Sequence, residues 1–465
     1  MEKKQSIWLS SEKPINKDIR IDLPYGVKKI IDELERQGFE AYVVGGAVRD
    51  SLMGKIPKDF DIATSATPDK VKKIFKNTID TGLIHGTVTV RLNKNSYEVT
   101  TYRIDGEYED NRHPKNVEFT ENIKKDLERR DFTINAMAYN ERTGILDLCD
   151  GLRDFNLGII RCVGEPEKRF DEDSLRVIRA IRFAAKTGFR LDTATALAII
   201  KKAPLLKNIS AERIRGEINE ILLSDMPEAI LLATELGITK IVLPEVDMML
   251  KTCQTNRNHF TDVYSHSLIA LKYVPKDPVL RWAVLLHDVG KPFTKTTDTE
   301  GVDHFKLHAE KGEETAKKIL LRLKFDNNTV RRVCKLILYH ARRLQDDKIG
   351  VRRLYSIMQD DMESMFILQK ADLLAHSSYK LEDRLDGLNA AYRHYLDIVR
   401  NKDAIKTADL KINGNDLKSL GIVGADIGTA LKYLLNRVLD DPSLNERDTL
   451  LKMASQIQTE NLRKD

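Results

Sequence analysis

Val43-Val44-Gly45-Gly46-Ala47-Val48-Arg49-Asp50 is followed closely by Asp59-Phe60-Asp61-Ile62. These two motifs indicate the fold of the N-terminal part of the chain. The apolar run that ends at Val44 predicts a short strand. Two glycines after a strand allow close backbone approach, and the helix start that follows offers free N–H groups to a phosphate. Gly-Gly turns are also common where no ligand binds, so this turn alone leaves both interpretations open.

The two aspartates of the second motif predict a metal site. Residues i and i+2 of a strand point to the same side, so the carboxylates of Asp59 and Asp61 would converge, which is costly without a cation. Oxygen ligands of this kind select Mg²⁺. Glu98, on a predicted strand over 97–102, could add a third carboxylate. The alternative is a pair of exposed acids on an edge strand, but Phe60 between them is expected to face the core.

A Gly-Gly turn followed about a dozen residues later by a strand-borne Asp-x-Asp resembles the DNA polymerase beta-like nucleotidyltransferase superfamily. The resemblance implies that Asp59, Asp61 and Glu98 form a catalytic centre that holds two Mg²⁺ ions. Such ions activate a 3′-hydroxyl and neutralise the charge that develops on the α-phosphate and the leaving pyrophosphate. It also implies that Gly45, Gly46 and Arg49 hold the triphosphate.

Two further motifs narrow the resemblance. Arg129-Arg130-Asp131-Phe132-Thr133-Ile134-Asn135-Ala136 and Glu172-Asp173-Ser174-Leu175-Arg176 resemble segments of the class II tRNA nucleotidyltransferase and bacterial poly(A) polymerase family. By resemblance, the nucleotide-binding residues are Gly45, Gly46, Arg49, Arg130, Asp131, Asn135, Asp173, Arg176 and Arg179. The resemblance implies CTP and ATP as substrates and tRNA as partner, and no DNA is expected.

In that family Asp173 and Arg176 would read the incoming base, and chemistry supports this role. Residues three apart share a helix face, a carboxylate only accepts hydrogen bonds, and a guanidinium only donates them. Cytosine and adenine each present an amino donor beside a ring acceptor, whereas uracil and guanine present the opposite polarity and would leave buried groups unpaired. An isolated pair with this spacing would be an ordinary surface salt bridge.

The segment 103–112 resembles the flexible loop of enzymes that add the terminal A as well as the two Cs, and the polar stretch 105–114 is predicted to be a mobile loop. No long insertion of the poly(A) polymerase type interrupts the chain. The sequence therefore predicts addition of C, C and A to the tRNA 3′ end without a nucleic-acid template. Addition of A alone, addition of CC alone and poly(A) synthesis stay open as alternatives.

Histidines are concentrated in one block, since seven of the ten lie between His259 and His376. Six metal-capable residues in this block resemble, in their order, the HD phosphohydrolase superfamily. By resemblance, the ligands of a divalent transition metal are His266, His287, Asp288 and Asp372, and His308 and His340 match the extra histidines of two-metal members. His259, His304 and His376 do not match and are predicted to be bystanders. The alternative is an HD domain that survives only as a scaffold.

Composition and periodicity set the organisation. The expected fold class is an α+β head, with a nucleotidyltransferase sheet and helices, followed by all-α neck, body, HD and tail domains. The expected boundaries are 1–150 for the head, 151–215 for the neck with the base-selecting helix, 216–258 for the RNA-binding body, 259–380 for the HD domain and 381–465 for a tRNA-binding tail. One predicted helix begins at Asp171 as its cap and ends at Gly188. For the tail, a plain helical packing module is the alternative.

The net charge of +5 is only a weak indication of an anionic partner. The four cysteines are scattered without a CxxC pair, which favours a reducing cytoplasm. No apolar run approaches the roughly 18 residues of a membrane span, and the first five residues suggest no secretory signal. Two other hypotheses are a metal phosphohydrolase with a nucleotide-sensing head and a non-catalytic RNA-binding scaffold.

Overall fold

The computed structural model describes residues 20–106, 117–255 and 261–461, with side chains described up to residue 456. The chain divides into two compact units, Met1–Asp247 and Met248–Asp465. Among the described residues, no helix is long and apolar enough to cross a bilayer.

The first unit is built on a mixed sheet with the strand order β3-β4-β5-β2-β1-β8-β9. These strands are β1 (Ala41–Val44), β2 (Asp61–Thr64), β3 (Thr78–Gly82), β4 (Thr87–Leu92), β5 (Asn95–Thr101), β8 (Met137–Asn140) and β9 (Gly144–Asp147). Strands β2 and β5 pair in parallel, and every other neighbouring pair in this sheet is antiparallel. Two short ladders join β6 (Arg103–Asp105) to β7 (Val117–Phe119) and β10 (Ile159–Ile160) to β11 (Arg190–Leu191).

Helices cover this sheet and continue beyond it. They are α1 (Tyr25–Arg36), α2 (Gly46–Leu52), α3 (Pro68–Ile74), α4 (Ile123–Glu128), α5 (Gly151–Asn156), α6 (Pro166–Glu172), α7 (Arg176–Thr187), α8 (Thr193–Lys202), α9 (Ala211–Leu222), α10 (Ile230–Glu235), α11 (Thr239–Val242) and α12 (Pro244–Leu250). On α1, Val27, Ile30, Ile31 and Leu34 are spaced as one face of a helix, and all four are buried. Central strands bury Val43 and Ile62 fully.

The second unit is mostly helical. Its helices are α13 (Val263–Leu271), α14 (Pro278–Leu286), α15 (Lys291–Thr294), α16 (His308–Arg322), α17 (Asn327–Tyr339), α18 (Lys348–Met358), α19 (Met362–Ala375), α20 (Leu381–Asn401), α21 (Gly414–Ser419), α22 (Ala425–Asp440) and α23 (Arg447–Asn461). Trp282 on α14 is fully buried and packs edge-on against Phe325. Helices α21 to α23 share a separate core around Leu417, Leu434 and Leu450.

The expected fold class is confirmed, with one small difference. The regions after the head were predicted to be all-α, but they contain the β10–β11 ladder and a short hairpin of β12 (Thr296–Thr297) and β13 (Asp303–His304). Such two-residue ladders are too short to leave a hydrophobic period in the sequence. Of the mobile loop predicted over 105–114, residues 107–114 lie outside the described residues, and Asp105, at its start, is the last residue of β6 and pairs with Val117 of β7.

Two local predictions were wrong. The Asp59-Phe60-Asp61 segment is not all strand: β2 begins at Asp61, which pairs with Val44, the last residue of β1. Asp59 has no partner on β1, because β1 ends at Val44 and the backbone continues into α2. The helix expected from Asp171 is broken, since α6 ends at Glu172, Asp173 is extended (φ −136°, ψ 102°), and α7 starts at Arg176. The predicted stop at Gly188 is confirmed, with φ at 76°.

Candidate functional site

A pocket of about 410 Å³ in the first unit collects most of the residues that the sequence singled out. Its lining includes the predicted residues Gly45, Gly46, Arg49, Asp61, Arg130, Asp131, Asn135, Asp173, Arg176 and Arg179. Two predicted catalytic residues do not line it: Asp59 precedes β2, and Glu98 lines an adjoining pocket of about 220 Å³ that shares Asp61 and Arg130 with the first. The volume of the first pocket, about 410 Å³, is typical of small-molecule sites.

The Gly-Gly turn forms one wall of this pocket. Gly45 adopts φ 71°, a left-handed conformation that L side chains rarely adopt. A Cβ atom at this position would also lie 2.8 Å from a guanidinium nitrogen of Arg130. The glycine is therefore required both by its backbone conformation and by the close approach of Arg130. Arg130 is held in place by an ion pair with buried Asp126, at 3.3 Å.

Arg49 on α2 is buried beneath the pocket and already bound to protein groups. Its guanidinium donates to Asp50 Oδ1 at 2.7 Å and to Asn135 Oδ1. Asp50 also accepts from Lys186, at 2.9 Å. Arg49 thus shapes a cationic wall, and its charge is partly balanced by Asp50.

Asp131 connects the Arg-Arg-Asp segment to α7. Its carboxylate accepts from the side chains of Arg179, at 2.5 Å, and Asn135, at 3.1 Å. Burial alone would raise the pKa of Asp131, but the Arg179 guanidinium and the Asn135 hydrogen bond outweigh burial and hold that pKa far below its ordinary value. Asp131 is therefore ionised at neutral pH and acts as an anchor for Arg179.

Asp173 and Arg176 both line the pocket, but they do not share a helix face as the sequence suggested. Asp173 lies in the break between α6 and α7, where its carboxylate accepts from Leu175 N–H at 3.1 Å and from Arg213 at 3.1 Å. Arg176 donates to Glu172 at 2.7 Å and to the Arg129 carbonyl at 3.0 Å. Each side chain is thus oriented by its own partner, which presets an acceptor and a donor in one pocket.

The carboxylates of Asp61 and Asp59 are the candidate donors for a divalent cation beside this pocket. Burial raises the pKa of Asp61, the charge of Asp59 raises it further, and only Arg130 opposes them. A neighbouring negative charge that disfavours ionisation is relieved by a bound cation. The donor set therefore fits an oxygen-preferring metal ion such as Mg²⁺.

A second cluster lies in the second unit, where five helices bring together all six predicted HD ligands. His266 lies on α13, His287 and Asp288 directly follow α14, His308 opens α16, His340 directly follows α17, and Asp372 lies on α19. Among the described residues, the groups of at least three side chains whose ligand atoms lie within 4.8 Å of one another are all in this cluster. There are three such groups: His266, His287 and Asp288; Asp288, His308 and His340; and His266, Asp372 and His376. Asp288 is common to the first two.

The ring orientation of these histidines is the arrangement expected of metal ligands. In each of the four rings Nδ1 lies 2.6–3.2 Å from a backbone carbonyl, which only accepts, so Nδ1 carries the proton and Nε2 faces the cluster. The carbonyls belong to Ala375, Val284, Phe305 and Ile337.

The carboxylates and imidazole lone pairs of this cluster favour a bound cation. With Nδ1 protonated, a neutral His266 would present its Nε2 lone pair to Asp372 Oδ1 at only 2.8 Å, so either a second proton on the ring or a bound cation has to lie between them. Burial lowers the pKa of His287, but Asp288 and Asp372 outweigh it and raise that pKa to about 10. His287 Nε2 is buried and has no hydrogen-bond partner among the described residues. The donor set fits divalent transition metals, which prefer imidazole and carboxylate ligands.

Comparison with known proteins agrees with both sites. Family models match residues 41–161 ("Poly A polymerase head domain"), 188–250 ("Probable RNA and SrmB- binding site of polymerase A") and 259–376 ("HD domain"). A CCA-adding enzyme of Leuconostoc mesenteroides is 33% identical over 430 residues, covering 92% of this chain and 95% of that protein. The chain belongs to the CCA-adding enzyme family.

Two further relatives support the assignment to CCA-adding enzymes. The enzyme of Lactiplantibacillus plantarum is 49% identical over 202 residues, which cover 43% of this chain and 50% of that protein. The crystal structure of the Bacillus stearothermophilus CCA-adding enzyme in complex with CTP superimposes with a TM-score of 0.68 at 26% identity, over 94% of this chain and 98% of that chain. CCA-adding enzymes are nucleotidyltransferases and use divalent metal ions.

Sequence reasoning missed several residues of this family member's sites. Phe183, a buried residue of α7, stacks under the guanidinium groups of Arg49, Arg179 and Arg182, at 4.9, 5.4 and 4.6 Å. The spacing of Arg179 and Arg182 around an aromatic residue was a usable signal. His376, expected to be a bystander, stacks on His266 with ring centroids 5.0 Å apart.

Proposed function

We propose that this chain adds C, C and A to the 3′ end of tRNA from CTP and ATP without a nucleic-acid template. One observation carries the proposal: the acceptor of Asp173 and the donor of Arg176 lie in the same pocket as the Gly45–Gly46 turn and Asp61. Base selection and phosphate chemistry can therefore act on one bound nucleotide. The CTP complex of the Bacillus stearothermophilus relative supports the same substrate class.

Asp59 and Asp61 would hold Mg²⁺ ions, with Glu98 beside them. The ions supply Lewis-acid stabilisation of the reacting α-phosphate and the leaving pyrophosphate. Gly45 keeps the pocket wall free of a side chain, and Arg49 and Arg130 place positive charge beside the triphosphate. Transfer joins the 3′-oxygen of the tRNA to the α-phosphorus and breaks the bond to pyrophosphate.

Base choice follows from the fixed partners of the reading pair. Arg213 forms an ion pair with Asp173 at 3.1 Å and orients it as an acceptor for the amino group of cytosine or adenine. Glu172 and the Arg129 carbonyl hold Arg176 as a donor for the neighbouring ring nitrogen. Uracil and guanine would place like polarity against each group, which leaves desolvated groups unpaired.

Incubation of the protein with Mg²⁺, labelled CTP and ATP and tRNAs that end before the first C, after C or after CC tests this function on one gel. We expect all three tRNAs to be completed to CCA. Completion of only the last tRNA would indicate an A-adding enzyme, a stop after CC would indicate a CC-adding enzyme, and long products would indicate poly(A) synthesis. Replacing Arg176 with Ala should increase incorporation of U and G relative to C and A.

A second activity is favoured by the HD cluster. Four Nε2 atoms converge on two carboxylates, and the cluster opens into a cavity of about 970 Å³, large enough for a nucleotide-sized ligand. We propose that bound transition metals support hydrolysis of a phosphomonoester or a 2′,3′-cyclic phosphodiester there. Elemental analysis of the purified protein, combined with assays on both ester types, tests this activity.

The regional assignments complete the proposal. The head over 1–150 and neck over 151–215 would carry nucleotide transfer, the body over 216–258 and tail over 381–465 would contact tRNA, and 259–380 would form the HD domain. In the tail, Asn413 and Asp416 cap α21, whereas α22 begins after Gly424 without a side-chain cap. The α22 start therefore suits a phosphate contact better. The four unpaired cysteines and the tRNA substrate support a cytoplasmic enzyme.

A further inference from the structure

The cavity at the HD cluster extends beyond the part of the chain that matches the HD family. The match ends at residue 376, but the cavity lining continues onto α20, which contributes Arg384. This arginine belongs neither to the predicted ligands nor to the matched segment. Its surroundings indicate what it can bind.

Arg384 is oriented by His376, the histidine that the ligand pattern leaves out. An Arg384 guanidinium nitrogen, Nη2, lies 2.6 Å from His376 Nδ1. Because arginine only donates, Nδ1 accepts, and the neutral ring carries its proton on Nε2, 3.7 Å from Asp372 Oδ1. The four ligand histidines have the opposite arrangement, with Nδ1 protonated. His376 is therefore placed to link Arg384 to Asp372 and not to offer a lone pair to a metal.

The other terminal nitrogen of Arg384, Nη1, also bears on what this residue can bind. Nη1 is buried and has no hydrogen-bond partner among the residues that the structure describes. An unsatisfied buried donor is costly, more so on a charged group. Arg384 lines the cavity, so a ligand oxygen there would satisfy this donor once the guanidinium turns toward it. Charge-assisted bonds of arginine to phosphate are among the strongest in proteins.

The lining also carries acids, several of which are already paired. Asp303 forms an ion pair with Lys295 at 2.9 Å, and Asp346 forms one with His394 at 2.6 Å. These acids do not compete for Arg384. Arg384 shares the lining with three other basic residues, Lys291, Arg343 and Lys380, of which Lys291 is paired with Asp288 at 2.6 Å.

We propose that Arg384 binds a phosphoryl oxygen of a phosphate ester held at the HD cluster, and that His376 positions it. The proposal rests on the HD hydrolysis suggested above. Hydrolysis adds water across the ester bond: the water oxygen bonds to phosphorus, the bond to the ester oxygen breaks, and that oxygen takes up a proton. Arg384 would hold a non-bridging oxygen during this step.

Calorimetric titration of the full-length protein with inorganic phosphate, after loading with Mn²⁺, tests the proposal. Replacing Arg384 with Gln should raise the Kd for phosphate by about tenfold or more, and Lys should restore part of the loss. Metal content, measured by elemental analysis, should not change. Arg393→Gln is the matched control, because Arg393 is exposed on the same helix and does not line the cavity; it should bind phosphate like the wild type.

The outcomes separate this inference from the activity on which it rests. Wild-type affinity in Arg384→Gln, or an equal loss in Arg393→Gln, would overturn the inference and leave HD hydrolysis standing. Loss of metal from Arg384→Gln would also overturn it, since the residue would then support the cluster itself. If Mn²⁺-loaded wild type neither binds phosphate nor hydrolyses esters, the HD activity and this inference both fail, while tRNA addition is unaffected.

Discussion

At the scale of single residues, the pocket of the first unit depends on charges that are fixed before a nucleotide arrives. Asp131 holds Arg179, Glu172 holds Arg176, and Arg213 holds Asp173. Preorganised groups do not have to reorganise when charge develops, which is the largest single source of stabilisation in many enzymes. These partners hold Arg179 and the proposed reading pair, Asp173 and Arg176, but not the candidate metal-binding acids, so substitutions in the two sets should have different effects.

Replacement of Asp61 by Asn is expected to reduce nucleotide addition by at least about a hundredfold, because a lost metal ligand removes several kcal/mol of charge stabilisation. The rate of extension of tRNA with CTP measures this. Asp80→Asn is the control, since Asp80 is an exposed acid that forms an ion pair with Lys72 outside the pocket. An Asp61→Asn protein that keeps near-normal rates would rule out the metal-binding role.

Removal of the Asp131 carboxylate should destabilise the first unit. Asp131→Ala leaves Arg179 without its buried partner, which costs about 3–5 kcal/mol of unfolding free energy. The folded-state pKa of Asp131 lies below the unfolded value of about 3.9, so its stabilisation is complete above that value and is lost as the pH falls below it. The gap in unfolding temperature between wild type and variant should therefore stay constant from pH 7 to pH 5.

The exposed pair of Asp32 and Arg142, 3.4 Å apart, provides the comparison for this effect. Asp32→Ala should change stability by less than about 1 kcal/mol, because exposed ion pairs contribute little. A gap for Asp131→Ala that narrows between pH 7 and pH 5 would contradict the assignment of a strongly lowered pKa.

At the scale of elements, the HD cluster depends on how closely α15 approaches α16. A Cβ atom on Gly290 would lie 2.1 Å from the His308 carbonyl and 2.5 Å from Gly312 N. Both neighbours are backbone atoms, which cannot move aside as a side chain end can. His308 opens α16 and belongs to the group with Asp288 and His340. The helix contact therefore sets the position of this ligand.

Gly290→Ala is expected to displace His308 and to lower the bound metal, measured by elemental analysis after loading with Mn²⁺, below the wild-type stoichiometry. Nucleotide addition should persist, because the pocket residues belong to the first unit. Gly428→Ala is the control: Gly428 is exposed in α22, a Cβ there meets nothing within 4 Å, and the change should be neutral or slightly stabilising. Equal metal content in both variants would refute the packing argument.

At the scale of the whole molecule, the chain carries two sites, each built within one unit. The pocket residues lie between Gly45 and Lys186, and the HD ligands lie between His266 and Asp372. The donor sets differ in kind, with oxygen donors in the first and imidazole and carboxylate donors in the second. The two sites should accordingly differ in metal requirement and respond separately to substitution.

Asp288→Asn should abolish metal retention at the HD cluster, since Asp288 is shared by two ligand groups, while extension of tRNA in Mg²⁺ stays within about twofold of wild type. Asp61→Asn should show the reverse, with metal retained at the HD cluster and extension of tRNA lost. After chelation has removed bound metal ions, addition of Mg²⁺ alone should restore nucleotide addition. Loss of both activities in Asp288→Asn with an intact fold would show that the sites depend on each other.

Much of the candidate site was predictable because its signals are local. We expected the strand before Gly45, the end of α7 at Gly188 and all six candidate HD ligands from neighbouring residues and from family motifs. The break between α6 and α7 was not, because Asp171 to Arg176 has the composition of a continuous helix. There, tertiary contacts from Arg213 and Arg129 override propensity.

The sequence by itself determined the order of the elements, the nature of the ligands and the family to which the motifs belong. Only the tertiary structure decided which partners hold Asp173 and Arg176, that Phe183 lies among three guanidinium groups, and that His376 turns its ring toward Arg384. The difference arises from the separation in sequence between the residues that interact. Backbone conformation responds to near neighbours in the chain, whereas a side chain's orientation is set by charges and packing from residues far away in sequence.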